Sequence, residues 1–380
     1  MQEQFMRRAV ELAKQGAGFT SPNPCVGAVI VKGGVIVAEG WHHRAGEDHA
    51  EIVAIKEIMK KSGIVTVDLD PNLFHNAALY VTLEPCFHTG KTPPCVKALA
   101  AAKFNRIYVG MKDPFSRVNG RGVKFLRQKG LHVEICKQGS KLAGEIRDLN
   151  QPFIKWAETG MPYVVLKAGM SLDGKVATVS GESKWITSEL AREDAKFERS
   201  MCDVVLVGSG TVKNDNPELA AIGKYRGKKL LRVVISSRLN LNLKAKVFRD
   251  ENVFVACSDA ASGGNKQRFK KAGIEFKSFG KEKVNIRKLL QFLAKKGVQS
   301  VFVEGGSNIH GSFFDETLKD RSLVDKVIFY IAPKLIGGLG SLPVIAGNGG
   351  EKLSKSVNFK NWKWEGVGED LKVSGIINIY

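Results

Sequence analysis

His49-Ala50-Glu51, answered by Pro85-Cys86 and Pro94-Cys95, decides how the first half of this chain folds and what it holds. Zinc takes deprotonated sulfur and neutral imidazole in a tetrahedral shell, and three protein ligands leave the fourth corner to water. Water on such a metal ionises near neutral pH. The reaction then needs a proton shuttle that is not itself a ligand. Glu51, two residues after His49 at a predicted helix start, suits that role. The bland alternative is a helix-start histidine and two unrelated thiols. Two cysteines each preceded by proline, the second at a predicted helix start, argue against it.

A His-x-Glu followed by two Pro-Cys pairs is the signature of the zinc-dependent nucleobase deaminases. The usual spacing between the two cysteines is two residues. Here eight residues intervene, Phe87-His88-Thr89-Gly90-Lys91-Thr92-Pro93-Pro94. The longer loop would bring His88, Thr89, Lys91 and Thr92 near the metal. Lys91 could meet a phosphate and Gly90 could allow close backbone approach. A solvated loop is the other reading of the same residues.

Outward from this stretch, residues 2–15 carry Phe5, Ala9, Leu12 and Ala13 at helical spacing. Ser21-Pro22-Asn23-Pro24 opens an apolar run over 25–31, and Gly33-Gly34 reads as a hairpin turn into 35–38. Residues 49–61 and 122–128 read as helices, as does the Ala-rich 94–103 with proline near its start. Strands are expected at 79–83, 106–110 and 131–136. This alternation implies a layered α/β domain over 1–147, with 148–380 as a second domain. Gln151-Pro152 and Gly160-Met161-Pro162 read as turns at that boundary, and 62–76 is long for a connection.

The second half opens on a strand at 163–167, with a helix at 188–201 and further strands at 204–207, 232–236, 253–256 and 300–303. A helix at 285–295 and strands at 326–331 and 373–379 complete the pattern. The strand-rich end lacks crossover helices, so a mixed sheet is expected. Gly169 ends the first strand region, and Trp185 stands among the polar groups of 181–187. Gly208-Ser209-Gly210-Thr211 and Asn214-Asp215-Asn216-Pro217 read as a polar glycine-rich turn. Val303-Glu304-Gly305-Gly306-Ser307-Asn308-Ile309 runs from strand through glycines into a helix, a candidate anion site. No Gly-x-Gly-x-x-Gly follows a strand, which excludes the usual dinucleotide fold.

Composition bounds the rest. The 380 residues suit two domains, and 43% hydrophobic with 25% charged residues is ordinary globular usage. No apolar run approaches the roughly 18 residues that span a bilayer, and no signal-peptide core follows the first charges. Six cysteines are too sparse for a disulfide scaffold. These features point to a cytoplasmic protein with reduced thiols and no membrane partner. The net charge is +20, with 21 basic and 13 acidic residues over 1–147 and 37 and 25 over the rest. An excess spread this evenly suits anionic small molecules, though charge alone also admits RNA.

Pro-Cys-x-x-x-x-Gly-Lys-Thr-Pro-Pro-Cys resembles the deaminase domain of the bifunctional riboflavin-biosynthesis deaminase-reductases. So do Ser21-Pro22-Asn23-Pro24-Cys25-Val26-Gly27 and Gly40-Trp41-His42-His43-Arg44-Ala45-Gly46. The segments of the second half resemble the reductase domain of the same family, in the same order. The resemblance implies an α/β protein: a three-layer, cytidine-deaminase-like N-terminal domain and a dihydrofolate-reductase-like mixed-sheet C-terminal domain. It implies Zn2+ on His49, Cys86 and Cys95, with Glu51 as catalytic proton shuttle, and Asn23, His42 and Lys91 at the pyrimidine. NADPH would contact Gly169, Trp185, Thr211, Asp215, Ser237 and the turn Gly306, Ser307, Asn308, Ile309, His310, Gly311 and Ser312. The second substrate site would use Ser183, Arg199, Leu219 and Glu304. The family places an arginine three residues after Leu219. This chain has Ile222 there, and the next arginine is Arg226.

The implied substrate is a diaminopyrimidinone with a phosphoribosylamino group, deaminated to a uracil and then reduced at the ribose to a ribityl chain. The family also implies a homo-oligomer and no nucleic-acid partner. Two other readings compete. One is a nucleic-acid-directed zinc deaminase with an accessory binding domain. The other is a non-catalytic zinc scaffold, against which the three-ligand set and Glu51 both argue.

Overall fold

A computed structural model describes residues 2–63, 70–87, 93–115 and 118–380. Lys91 and the rest of 88–92, and residues 64–69 of the long connection, lie outside the described residues. The chain forms two compact units, Met1–Thr159 with Tyr380, and Gly160–Ile379.

The first unit runs α1 (Glu3–Gln15), β1 (Gly27–Lys32), β2 (Val35–Trp41), α2 (Ala50–Lys61), β3 (Ala77–Leu83) and α3 (Cys95–Ala102). It continues through β4 (Arg106–Met111), α4 (Arg121–Gln128), β5 (His132–Ile135), α5 (Lys141–Leu149) and α6 (Gln151–Thr159). The sheet order is β2-β1-β3-β4-β5. β1 is antiparallel to both neighbours, and β3, β4 and β5 are parallel.

Two glycines on opposite faces of this sheet make room for the helices that cover it. A Cβ on Gly27 would stand 2.0 Å from the carbonyl of Ala9 in α1, and one on Gly40 would stand 2.5 Å from that of Ala50 in α2. The helices therefore sit backbone-close on the strands, which fixes the entry point of α2 and with it His49 and Glu51. The apolar stripe of α1, Phe5, Met6, Ala9, Val10, Leu12 and Ala13, is fully turned into the core. Burial of each large member of such a stripe stabilises the fold by roughly 1.5–3 kcal/mol.

The division falls after Thr159, so the expected boundary at 147 cuts through α5. Gln151-Pro152 is the first turn of α6 rather than a loop. Proline is tolerated there because the first N–H groups of a helix have no intrahelical partner. Within the long connection, Pro71–Phe74 forms a short 3-10 turn that buries Phe74.

The second unit contains β6 (Tyr163–Ser171), β7 (Lys175–Ala177), α7 (Glu189–Met201), β8 (Val204–Gly208), α8 (Ser209–Asp215), β9 (Leu231–Ile235), β10 (Val253–Cys257) and α9 (Gly263–Lys271). After these come β11 (Glu275–Ser278), α10 (Ile286–Lys295), β12 (Ser300–Val303), α11 (Ser307–Lys319), β13 (Lys326–Ala332), β14 (Leu342–Pro343), β15 (Asn361–Val367) and β16 (Asp370–Ile376). Nine strands form a mixed sheet in the order β11-β10-β9-β8-β12-β6-β13-β16-β15. β16 is antiparallel to β13 and β15, and the strands from β11 to β13 are parallel.

Strand periodicity divides the core. Leu206 packs with Leu289, Leu293 and Phe313 on one face of the sheet, while Val205 and Val207 pack with Leu239 and Phe269 on the other. The polar stretch 209–215 is helix α8 and not the expected turn, with Gly208 as its extended N-cap. Among the described residues, no helix is long and apolar enough to cross a membrane.

Candidate deaminase and reductase sites

His49 caps α2 in an extended conformation, so its ring projects from the helix N-terminus and Glu51 lies in the first turn. Cys86 follows β3, and Cys95 is the first residue of α3. The Cys95 backbone N–H donates to Cys86 Sγ at 3.2 Å. His49 Nδ1 stands 3.5 Å from Cys86 Sγ and 3.3 Å from Cys95 Sγ. All three ligand atoms lie within 4.8 Å of one another. A tetrahedral zinc with ordinary bond lengths separates nitrogen and sulfur ligands by about 3.5 Å, so the three atoms fit one ion.

The charges agree with that fit. Cys86 is drawn down to about 4, first by its hydrogen bond with Cys95 and further by His49. The same contact and burial push Cys95 well up. The pair carries one negative charge readily, and a cation is what stabilises the second. Glu51 is 3% exposed. Burial, then the charge of Cys86, push its carboxyl up to about 7.

The ion site opens on a cavity of about 500 Å³. Asn23 and His42 line it together with His49, Glu51 and Cys86. His42 is buried, its Nδ1–H donating to the Asp48 carbonyl at 3.0 Å while Asn23 Nδ2 donates to its Nε2 at 3.0 Å. Those partners assign the neutral tautomer, and burial keeps the ring neutral by lowering its pKa.

The cavity lining also contains side chains that motif reading did not single out: Asp113, Phe115, Phe153 and Trp156. Phe115 meets Trp156 edge-to-face at 5.4 Å. Glu84 also lines the cavity, and its carboxylate accepts the backbone N–H groups of Asp113, Gly120 and Val123 at 3.1, 2.9 and 3.1 Å. Its position in Leu83-Glu84-Pro85-Cys86 was the available signal, a carboxylate adjoining a ligand segment.

In the second unit the named residues gather at the C-terminal ends of adjacent parallel strands, the usual ligand edge of such sheets. Gly169 is near the end of β6, Thr211 and Asp215 lie on α8 after β8, Ser237 follows β9, and Glu304 follows β12. The pairing of Val303 with Leu166 sets Glu304 beside Lys167. Glu304 accepts from Arg199 Nη1 at 2.9 Å and lies 3.7 Å from Lys167 Nζ. Burial pushes the Glu304 carboxyl up, but Arg199 and Lys167 together outweigh it and hold it below its ordinary value. Lys167, which motif reading passed over, thus completes a cluster of three charges, with Arg199 buried and the other two half-buried.

Gly306 caps α11, and Ser307 and His310 are buried just inside it. Ser307 Oγ and His310 Nε2 have no partner among the described residues. Asn308 and Ser312 are exposed on the same turn. Two members of the turn face elsewhere. A Cβ on Gly208 would lie 2.7 Å from the Ile309 side chain, and one on Gly311 would lie 2.3 Å from the Ala346 carbonyl, so both pack against protein.

Trp185 is 65% exposed, with the Arg192 guanidinium 4.2 Å over its ring, and Lys184 pairs with Asp215 at 3.2 Å. Ser183 is half-buried. A Cβ on Gly169 would lie 3.1 Å from Thr187. The Leu219 side chain belongs to the core, leaving its backbone, at φ 56°, as the part that can meet a ligand. Ile222 is tied by its N–H to Ser200 Oγ at 2.9 Å, and Arg226 is exposed beyond it.

A His/Cys/Cys cradle over a buried carboxylate, on a helix-covered five-stranded sheet, defines a zinc-dependent deaminase of the cytidine type; the second unit has the mixed sheet of a reductase. The family model for the cytidine and deoxycytidylate deaminase zinc-binding region matches residues 1–111, and that for the RibD C-terminal domain matches residues 162–373. The riboflavin biosynthesis protein RibD of Bacillus amyloliquefaciens is 37% identical, covering 99% of this chain and 96% of that protein. A solved structure of Acinetobacter baumannii RibD superposes with a TM-score of 0.84 at 33% identity, over 99% of this chain and 98% of that one. The Thermotoga maritima diaminohydroxyphosphoribosylaminopyrimidine deaminase/5-amino-6-(5-phosphoribosylamino)uracil reductase gives 0.80 at 34% identity, over 99% and 98%.

The chain belongs to the RibD family, bifunctional deaminase-reductases of riboflavin biosynthesis. Its cofactors are zinc in the first unit and NADPH in the second. None of these matches favours a nucleic-acid-directed deaminase.

Proposed function

We propose that the first unit removes ammonia from 2,5-diamino-6-(5-phosphoribosylamino)pyrimidin-4-one and that the second reduces the ribosyl group of the resulting uracil. The observation that carries this reading is the meeting of His49, Cys86 and Cys95 above buried Glu51 in one cavity with Asn23 and His42. Zinc, when bound, supplies the Lewis acidity that makes a water nucleophilic near neutral pH. Glu51 takes one proton from that water to the ring nitrogen and carries the second, from the hydroxyl then on the ring carbon, to the amine, which leaves as ammonia. Neutral His42 fixes the Asn23 amide, whose oxygen remains to accept from the pyrimidine. The aromatic wall of Phe115 and Trp156 excludes solvent from the ring.

In the second unit, NADPH supplies the hydride that reduces the ring-opened ribose at C1. Arg199, Glu304 and Lys167 hold the sugar's polar groups, and the α11 N-terminus with Ser307 faces the cofactor's phosphates. Thiolate ligands suit a reducing compartment, so the enzyme works in the cytoplasm, as a homo-oligomer on small anionic substrates. The test is ammonia release and NADPH oxidation by the zinc-loaded chain on the phosphoribosyl pyrimidine. Activity of Glu51→Gln equal to wild type in ammonia release would remove the assigned proton path, and undiminished reduction by Glu304→Gln would remove the second site.

A further inference from the structure

Beside the Arg199–Glu304–Lys167 cluster, buried Tyr330 and Lys372 of the sheet meet carboxylates of α7 in a second polar set that the proposed chemistry leaves unused. Tyr330 on β13 is paired with Gly169 on one side and with Lys372 of β16 on the other. Lys167, two residues from Gly169 along β6, projects from the same face of the sheet. Tyr330 is 1% exposed, and its hydroxyl donates to Asp194 Oδ2 of α7 at 2.5 Å. Lys372 Nζ lies 2.7 Å from Asp194, 2.9 Å from Glu198 and 3.4 Å from Glu365. The Lys167 and Lys372 ammonium groups lie over the Tyr330 ring, 5.8 and 5.9 Å from its centroid.

A strand-centre position in a nine-stranded sheet takes an aliphatic side chain at no electrostatic cost. A phenol and an ammonium there need polar partners, which α7 supplies in Asp194 and Glu198. The hydroxyl is anchored on Asp194, and Asp194 and Glu198 share the one ammonium of Lys372. The anchored hydroxyl fixes the axis of the ring, and close packing around a side chain only 1% exposed holds its plane. A ring face within about 6 Å of an ammonium attracts it.

The charged and titratable groups around Lys167 are Glu304 after β12, Arg199 on α7, His310 on α11 and Tyr330 on β13. Of these, Arg199 repels the ammonium, burial keeps His310 neutral, and the 3.7 Å approach of Glu304 is too long for a tight hydrogen bond. The ring is therefore a second, fixed neighbour of the ammonium, 5.8 Å away at its centroid, beside the carboxylate at 3.7 Å.

We infer that Tyr330 is a positioning residue of the reductase site: held by Asp194 and Lys372, its ring sets the place of the Lys167 ammonium beside Glu304. The inference rests on the reading that Lys167, Arg199 and Glu304 meet the substrate.

The experiment uses the full zinc-loaded chain with NADPH and 5-amino-6-(5-phosphoribosylamino)uracil. Tyr330→Leu removes the ring, and Tyr330→Phe keeps it. Tyr330→Leu is expected to lose about tenfold in reductase kcat and to move the alkaline limb of the pH profile downward, because the charged form of Lys167 loses its support. Tyr330→Phe is expected to recover most of the rate, with the Kd for NADPH and the rate of ammonia release unchanged in both. A wild-type kcat and alkaline limb in Tyr330→Leu overturns the inference, as does a loss of rate matched by equal losses of NADPH binding and melting temperature. Lys167→Ala and Glu304→Gln separate the two failures. If they reduce substrate normally, the site reading fails; if they are inactive while Tyr330→Leu is normal, only the role of Tyr330 fails.

Discussion

The backbone N–H of Cys95 is directed at the sulfur of Cys86 from the first turn of α3. Helix N-termini favour negative charge, so the backbone itself prepares one thiolate before any ion arrives. Chelation with a zinc-selective ligand is expected to abolish ammonia release while leaving reduction of supplied uracil intermediate intact. Metal content and the two activities, followed in one titration, check this.

His49→Ala and Glu51→Gln should fail differently. His49→Ala is expected to lose bound zinc along with deamination. Glu51→Gln should retain the metal and lose roughly 10²–10⁴-fold in deaminase kcat, the usual contribution of a positioned proton carrier. Elemental analysis beside an ammonia assay distinguishes them.

Trp156 and Phe115 close the cavity from residues beyond the zinc motif. Trp156→Ala is expected to raise the deaminase KM about tenfold, in line with the ~1 kcal/mol of an aromatic contact and the area it covers. NADPH oxidation with supplied uracil intermediate should be unaltered. An unchanged KM would remove the wall from substrate binding.

Asn150 is 2% exposed and bridges Cys25 through both ends of its amide, accepting from Cys25 N at 2.8 Å and donating to Cys25 O at 3.1 Å. Asn150→Ala removes both hydrogen bonds to the Cys25 backbone, each worth about 0.5–1.5 kcal/mol net. The first unit is expected to lose about 1–3 kcal/mol of stability, read by denaturant unfolding. Reduction in the second unit serves as the control.

Glu304 titrates below its ordinary value because Arg199 and Lys167 outweigh its burial. A carboxylate with a depressed folded pKa contributes stability that is complete above its unfolded pKa of about 4.3 and is lost as pH falls through the folded value. Glu304→Gln should therefore flatten the acid side of the second unit's stability profile. Thermal unfolding from pH 6 downward measures it, and identical acid slopes in both proteins would contradict the assignment.

What was legible in the sequence was local. The helix opening at His49, the hairpin at Gly33-Gly34 and the strand-to-helix passage through Gly305-Gly306 each depend on neighbours a few residues away. Glu84 escaped because its partners at Asp113, Gly120 and Val123 come from the distant segment that leads into the first turn of α4. Lys167 escaped because it ends an apolar run and gains meaning only when the β6–β12 register brings Glu304 alongside. Gln151-Pro152 looked like a turn because proline at a helix start and proline in a loop share one local pattern. The Ile309 side chain packs by Gly208 and that of Leu219 enters the core, contacts that no local pattern in the sequence reveals.

The placement of α6 has a practical meaning for anyone grafting this deaminase onto another scaffold. A transplant limited to residues 1–111, the span of the deaminase family match, would carry the metal cradle and leave its aromatic enclosure behind. The excised piece would grip its ion above an open trough. Severing the chain after Thr159 keeps motif and enclosure in one piece.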